Sequence, residues 1–129
     1  MTLTVIPIYA ALCGLLMTWL AINVVRKRAG TKILFGDGGN IEVTGAVRAH
    51  GNTAEYVPIA LILLAMLELA KVEAMWLHIM GAALVLSRAY YSVGLGRLDR
   101  PSNGRLVGTT VTWIVTVVAA LWLLWIAAR

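Results

Sequence analysis

The chain has 129 residues, of which 60% are hydrophobic and 13% charged, with a net charge of +5 and a mean hydropathy of +0.85. A soluble domain is usually nearer half apolar and a quarter charged, and a single unit of this length cannot hide so many apolar side chains from water. An ordinary soluble enzyme and a disordered chain are therefore excluded, and a single cysteine excludes a disulfide scaffold. The basic residues lie between apolar blocks rather than in a polar domain of their own. That argues against a nucleic-acid partner and for a membrane protein.

Crossing a hydrocarbon core of about 30 Å takes about 20 apolar residues of helix. The first predicted span runs from roughly Leu3 to Val25 and meets no charge before Arg26. It lacks a basic leader and a small-residue cleavage site, so it reads as a span rather than a signal peptide. Cys13 falls inside it and reads as a small packing residue. The loop that follows, roughly Ala29 to Gly45, contains Gly36-Asp37-Gly38-Gly39-Asn40. This is a dense turn signal without the spacing of a phosphate-binding loop, and it reads as a flexible connector. The second span is apolar from Val57 to Leu67, meets Glu68 and closes near Ala70. It is long enough only if it starts near Ala46, which makes it the polar-tipped one. The third runs from roughly Ala74 to Leu95 and carries Arg88; the fourth runs from roughly Leu106 to Ala128 without a charge. No internal repeat is visible. The expectation is all-α: one integral membrane domain over 1–129, a four-helix bundle of up-down topology.

Of the 11 Lys and Arg residues, Arg26, Lys27, Arg28, Lys32, Arg48, Arg97, Arg100 and Arg105 gather at one end of such a bundle. Lys71 and Arg129 fall at the other, and Arg88 lies within the third helix. The positive-inside rule puts the basic loops in the cytoplasm and both termini on the non-cytoplasmic side. Trp76, Trp122 and Trp125 then form an aromatic belt at the outer interface.

Polar side chains inside a span are costly and mark function. Arg48, Asn52 and Glu55 are spaced i, i+4, i+7 on one face of the second helix, and Tyr56 extends that stripe. Pro58 removes a backbone hydrogen bond to Ala54 and predicts a kink. On the third helix Arg88, Tyr91 and Leu95 share a face. Arg88 sits about two turns inside the basic end, where it needs a partner or an anion. Glu55 lies at matching depth, and an Arg88–Glu55 pair serves equally as structure or as the wall of a site. Taken singly, Arg48 snorkels and Arg105 is an interfacial anchor. Taken together, these residues and the dipole ends of the second and fourth helices form a basic, half-buried cup. It opens to the cytoplasm and, between helices, to lipid. It suits a small anionic ligand with an ammonium group for Glu55. An Arg beside a bound thiol favours the thiolate, and lipid access supplies an apolar electrophile. His50 and His78 lie near opposite ends and Cys13 is remote from both, so no metal site is expected. No Ser-His-Asp arrangement is visible.

Arg48-Ala49-His50-Gly51-Asn52-x-x-Glu55-Tyr56-x-Pro58 resembles the second-helix signature of the MAPEG superfamily, the membrane-associated proteins of eicosanoid and glutathione metabolism. Microsomal glutathione transferases, a leukotriene synthase, a prostaglandin E synthase and small bacterial members belong to it. The likeness extends to Arg88-x-x-Tyr91, the basic first loop, Arg105 and the overall length. It implies a homotrimer with glutathione, as cosubstrate, at each protomer interface near the cytoplasmic side. Arg48, Asn52, Glu55 and Tyr56 would bind it, with a polar contact from His50. Arg88 and Tyr91 would line the site, and Arg105 would stabilise the thiolate. Arg26 would contribute from the end of the first helix, with Lys27 and Arg28 as alternatives. Leu95 departs from the eicosanoid synthases, which carry a Tyr there. The resemblance therefore implies a bacterial, multi-pass cell-membrane member that conjugates glutathione to a lipophilic electrophile or reduces peroxides. Two other readings stay open: a non-catalytic member that binds lipid or another thiol compound, and a small proton-coupled drug transporter built on Glu55.

Overall fold

A computed structural model describes residues 2–94 and 102–129; Leu95, Arg97 and Arg100 lie outside the described residues. The chain forms four helices, α1 (Ile6–Thr31), α2 (Ile41–Leu69), α3 (Ala74–Gly94) and α4 (Asn103–Ala127), with no strand among the described residues.

Capping groups account for where α1, α2 and α4 start. Val5, the N-cap of α1, offers no side-chain cap; the carboxylate of Glu68, near the end of α2, serves instead. Its Oε1 accepts from the amides of Thr4 and Val5 at 2.5 and 2.7 Å, and its Oε2 accepts from the Ile6 amide at 2.8 Å. An anion at that position satisfies orphan donors and complements the helix dipole. α2 starts at Ile41, earlier than the expected Ala46. Asn40 caps it there, accepting from the amides of Glu42 and Val43, and Glu42 adds negative charge to the first turn. α2 continues through Pro58. α4 starts at Asn103 because Ser102 caps it, accepting from the Arg105 amide at 3.2 Å. α1 runs on past the expected Val25 to Thr31, so its basic end is a helical turn rather than loop.

By length and composition α1, α2 and α4 can each cross a membrane. α3 has 21 residues, about 31 Å of helix, but Arg88, His78, Tyr90 and Tyr91 make its composition less apolar. α3 is thus the least apolar span by composition, and its charge is carried inside the bundle. α2 touches all three other helices, α3 packs on α4 and α1 on α3, and α1 does not meet α4 among the described residues.

The main core draws Ile6 and Cys13 from α1, Val57, Ala60, Leu64 and Leu67 from α2, Leu77, Met80 and Leu84 from α3, and Val115 and Ala119 from α4. A smaller cluster of Leu20, Ala49 and Tyr91 lies toward the basic end. Outside, Leu15, Ile62, Leu86, Leu121 and Leu124 are exposed, as lipid-facing side chains are. Lipid is as apolar as leucine, so helices associate there through close packing and hydrogen bonds. The α3–α4 crossing has both: a Cβ at Gly108 would come within 2.6 Å of the Ser87 carbonyl oxygen, and the Ser87 and Thr112 hydroxyls bond at 3.0 Å. At the opposite end Trp76 and Trp122 meet edge to face, and Arg129 lies 3.5 Å over the Trp125 ring.

Candidate functional site

Arg88 is fully buried on α3. Its Nη1 donates to Asn52 Oδ1 at 2.6 Å and its Nη2 to the Gly108 carbonyl at 2.5 Å. Its guanidinium carbon lies 4.8 Å from the Tyr91 ring centroid and 6.0 Å from that of Tyr56. Nε is buried without a partner among the described residues. Glu55, the partner weighed from matching depth, lies exposed on the outside of α2. Positions 52 and 56 turn inward on α2 and take Asn52 and Tyr56 to Arg88, leaving position 55 outside. Equal depth is not equal azimuth. Tyr56 also packs against Trp113, with ring centroids 6.5 Å apart.

Beside this buried knot, at the basic end, lies an open cavity of about 500 Å³ lined by Arg48, Tyr91 and Arg105 with Asp37, Gly39, Ile41 and Thr44. Three of the predicted site residues, one each from α2, α3 and α4, therefore share one hollow. Tyr91 links the hollow to the buried knot, since its ring lies against Arg88. Arg48, about two turns into α2, and Arg105, in the first turn of α4, are exposed side chains, and the N-terminus of α4 adds positive potential beside Arg105.

Asp37 and Thr44 were not anticipated. The glycine-rich segment, read as a flexible connector, is a hydrogen-bonded turn. Gly36, Gly38 and Gly39 hold φ of 62°, 57° and 73°, values that glycine adopts without penalty. Asp37 Oδ1 accepts from the Gly39 amide and Oδ2 from the Thr44 hydroxyl, both at 3.0 Å. These two donors hold the Asp37 carboxyl below the usual carboxylate range, the Gly39 amide contributing most. The available signal was Asp within a run of glycines, seven residues before a Thr.

The other predicted residues do not line this hollow. Arg26 lines a second open cavity of about 500 Å³ between α1 and α2, with Asn23, Lys27, Gly30, Thr31 and Glu42. Lys27 and Glu42 pair at 2.8 Å there, the one ion pair among the described residues. His50 is half-buried and Glu55 exposed.

A model of the MAPEG family matches residues 6–125. The chain belongs to the MAPEG family. It is similar to the inner membrane protein YecN of Escherichia coli strain K12, with 36% identity over 118 residues that cover 89% of this chain and 88% of the relative. It matches YecN of Escherichia coli O6:H1 strain CFT073 with the same figures. No solved structure matches. With its membrane-crossing helices, this MAPEG chain is a multi-pass protein of the bacterial inner membrane.

In this MAPEG protein the α2 signature divides in space. Asn52 and Tyr56 hold Arg88, Arg48 walls the hollow, and Glu55 lies on the outer surface. Chemically, the hollow offers two guanidinium groups, one ionised carboxylate and two hydroxyls, from Thr44 and Tyr91. Such a set can complement a small anion that also carries an ammonium group.

Proposed function

We propose that this protein is a glutathione-dependent membrane transferase that activates the glutathione thiol for attack on a lipophilic electrophile. The supporting observation is the shared hollow of Arg48, Tyr91 and Arg105 in a chain of the MAPEG family. Glutathione carries two carboxylates, one ammonium group and a thiol. The hollow answers with Arg48 and Arg105 for anionic groups and Asp37 for the ammonium. Its volume falls in the range of roughly 300–1,000 Å³ typical of small-molecule sites.

On this reading Arg48 binds a carboxylate and Arg105 stands beside the sulfur. A guanidinium near a thiol favours its charged form, and the N-terminus of α4 adds positive potential to the same place. The thiol proton leaves to water. The sulfur then attacks the electrophilic carbon, and the leaving group departs with its bonding pair. The apolar cosubstrate enters from the bilayer between helices. With a hydroperoxide as acceptor, two glutathione molecules would become a disulfide while the peroxide becomes an alcohol and water. Arg26, His50 and Glu55 then act across a homotrimer interface, which is consistent with their absence from the hollow of a single protomer. The basic helix ends face the cytoplasm and both termini the opposite side.

A second reading, a non-catalytic member that binds lipid or a thiol compound, draws support from Arg88. Its hydrogen bonds to Asn52 and Gly108 make it part of the bundle's structure rather than a free ligand group.

Adding glutathione to the purified protein should raise absorbance in the thiolate band, and Arg105→Ala should abolish that rise. Absence of binding heat at millimolar glutathione would overturn the transferase reading. Binding without turnover of a generic lipophilic electrophile would favour the second.

A further inference from the structure

Beyond the proposed site, the loop between α1 and α2 carries two large apolar side chains in an unusual setting. Leu34 is 79% and Phe35 88% exposed, and Phe35 is the only phenylalanine of the chain. They are not on a loose tether. Arg28 Nη1 donates to the carbonyls of Ile33, Leu34 and Gly36 at 3.3, 3.2 and 2.9 Å. The helix ends on Lys32 with φ of 58°, and Ile33 packs back over Gly38. One arginine thus folds the loop back along the last turn of α1, leaving Leu34 and Phe35 as its outward tip.

The depth of that tip follows from helix geometry. The uncharged stretch Ile6 to Val25 spans about 30 Å, the thickness of the hydrocarbon core. Arg26 to Thr31 add about 9 Å, which crosses a headgroup layer roughly 5–8 Å deep. Because the loop folds back to Arg28, the tip lies at headgroup level and not out in water. Next to it are Arg28, which bonds the loop, and Lys32, which begins it, with no carboxylate between Val25 and Gly36; Lys27 is paired with Glu42. Apolar side chains beside a cluster of cations match an anionic bilayer surface, with apolar contact below and phosphate at the rim.

We infer that Lys32–Gly36 is an interfacial anchor that seats Leu34 and Phe35 in the headgroup layer and binds anionic phospholipid through the neighbouring cations. The next residue, Asp37, walls the Arg48–Arg105 hollow, so the anchor ties one wall of that hollow to the membrane surface.

The inference is tested on the full chain in vesicles of phosphatidylcholine with and without phosphatidylglycerol. A spin label on Phe35→Cys, in a Cys13→Ala background, should be reached by oxygen more than by a water-soluble nickel complex. The immersed fraction should rise with phosphatidylglycerol. Lys32→Gln should cut that preference about fivefold, the share of one basic side chain at an anionic surface. Phe35→Trp in the otherwise native chain gives a second reading that leaves the core untouched, through added quenching by brominated phosphatidylglycerol. Nickel access as free as in water would overturn the anchor. Equal immersion with and without phosphatidylglycerol would overturn its anionic preference. Spin–spin broadening between labels would overturn it in favour of a contact between copies of this chain. None of these outcomes depends on glutathione binding.

Discussion

Arg88 on α3 and Asn52 on α2 meet at 2.6 Å, joining a buried cation to a neutral oxygen, with no carboxylate paired to it among the described residues. The pair makes Asn52 a structural partner first. Replacing it with Leu leaves one arm of the guanidinium without an acceptor. The expected loss is about 2–3 kcal/mol of stability, the penalty for an unmet buried hydrogen bond to a charge. Arg88→Met removes the charge that needs satisfying and should cost less than Asn52→Leu. Thermal unfolding in micelles ranks the two variants; the reverse order would mean that Arg88 does more than hold the helices together.

Glu68 makes a second prediction, at the other end of the bundle. Its two oxygens meet the amides of Thr4, Val5 and Ile6 and the Thr4 hydroxyl, so a residue 62 positions away caps α1. Glu68→Ala should cost about 1–2 kcal/mol, in the range of a lost N-cap, and should speed hydrogen exchange at Val5 and Ile6. Glu68→Gln keeps an acceptor but not the charge, and should fall between. Unchanged exchange at these amides in the Ala variant would rule out the capping role.

These two residues also show what could be read without coordinates. Apolar length and the basic end were plain in the sequence, because hydrophobic matching to a bilayer is a one-dimensional constraint. So was the meeting of Arg48, Tyr91 and Arg105, since the ends of an up-down bundle follow from helix count. Azimuth was not. One 100° step separates Glu55 from Tyr56, and it decides which of them faces Arg88. The cap by Glu68 was hidden for a related reason, because a carboxylate near a helix end has no sequence mark naming the distant terminus it serves. Asp37 was hidden by its glycines, which signal a turn but not the direction in which that turn carries a side chain.

Gly108 supports a third prediction. A Cβ there would stand 2.6 Å from the Ser87 carbonyl oxygen and 2.7 Å from the Tyr91 Cβ, and backbone cannot give way cheaply. The Gly108 carbonyl is also an acceptor for Arg88. Gly108→Ala should therefore part α3 from α4 at a cost of about 1–3 kcal/mol, as overpacking does. The effect should reach the hollow through Tyr91. Glutathione affinity, followed by calorimetry, should fall even though residue 108 does not line the site.

Asp37 supports the last prediction, and its sign is fixed by its surroundings. The Gly39 amide and Thr44 hydroxyl favour the charged form and lower its pKa in the folded chain. A lowered carboxyl pKa stabilises the turn fully above its unfolded value, about 3.9, and that contribution fades as pH falls through the folded pKa below it. Protection of the Gly39 amide from exchange should then be flat with pH through the neutral range, after correction for intrinsic exchange, and should drop only in acid. Thr44→Val removes one donor, so the drop should move to higher pH. Asp37→Asn separates the two roles of the side chain. It keeps an acceptor for the turn but loses the charge that would meet an ammonium group. It should weaken glutathione more than it weakens an analogue lacking the amino group, and equal weakening would place the ammonium elsewhere.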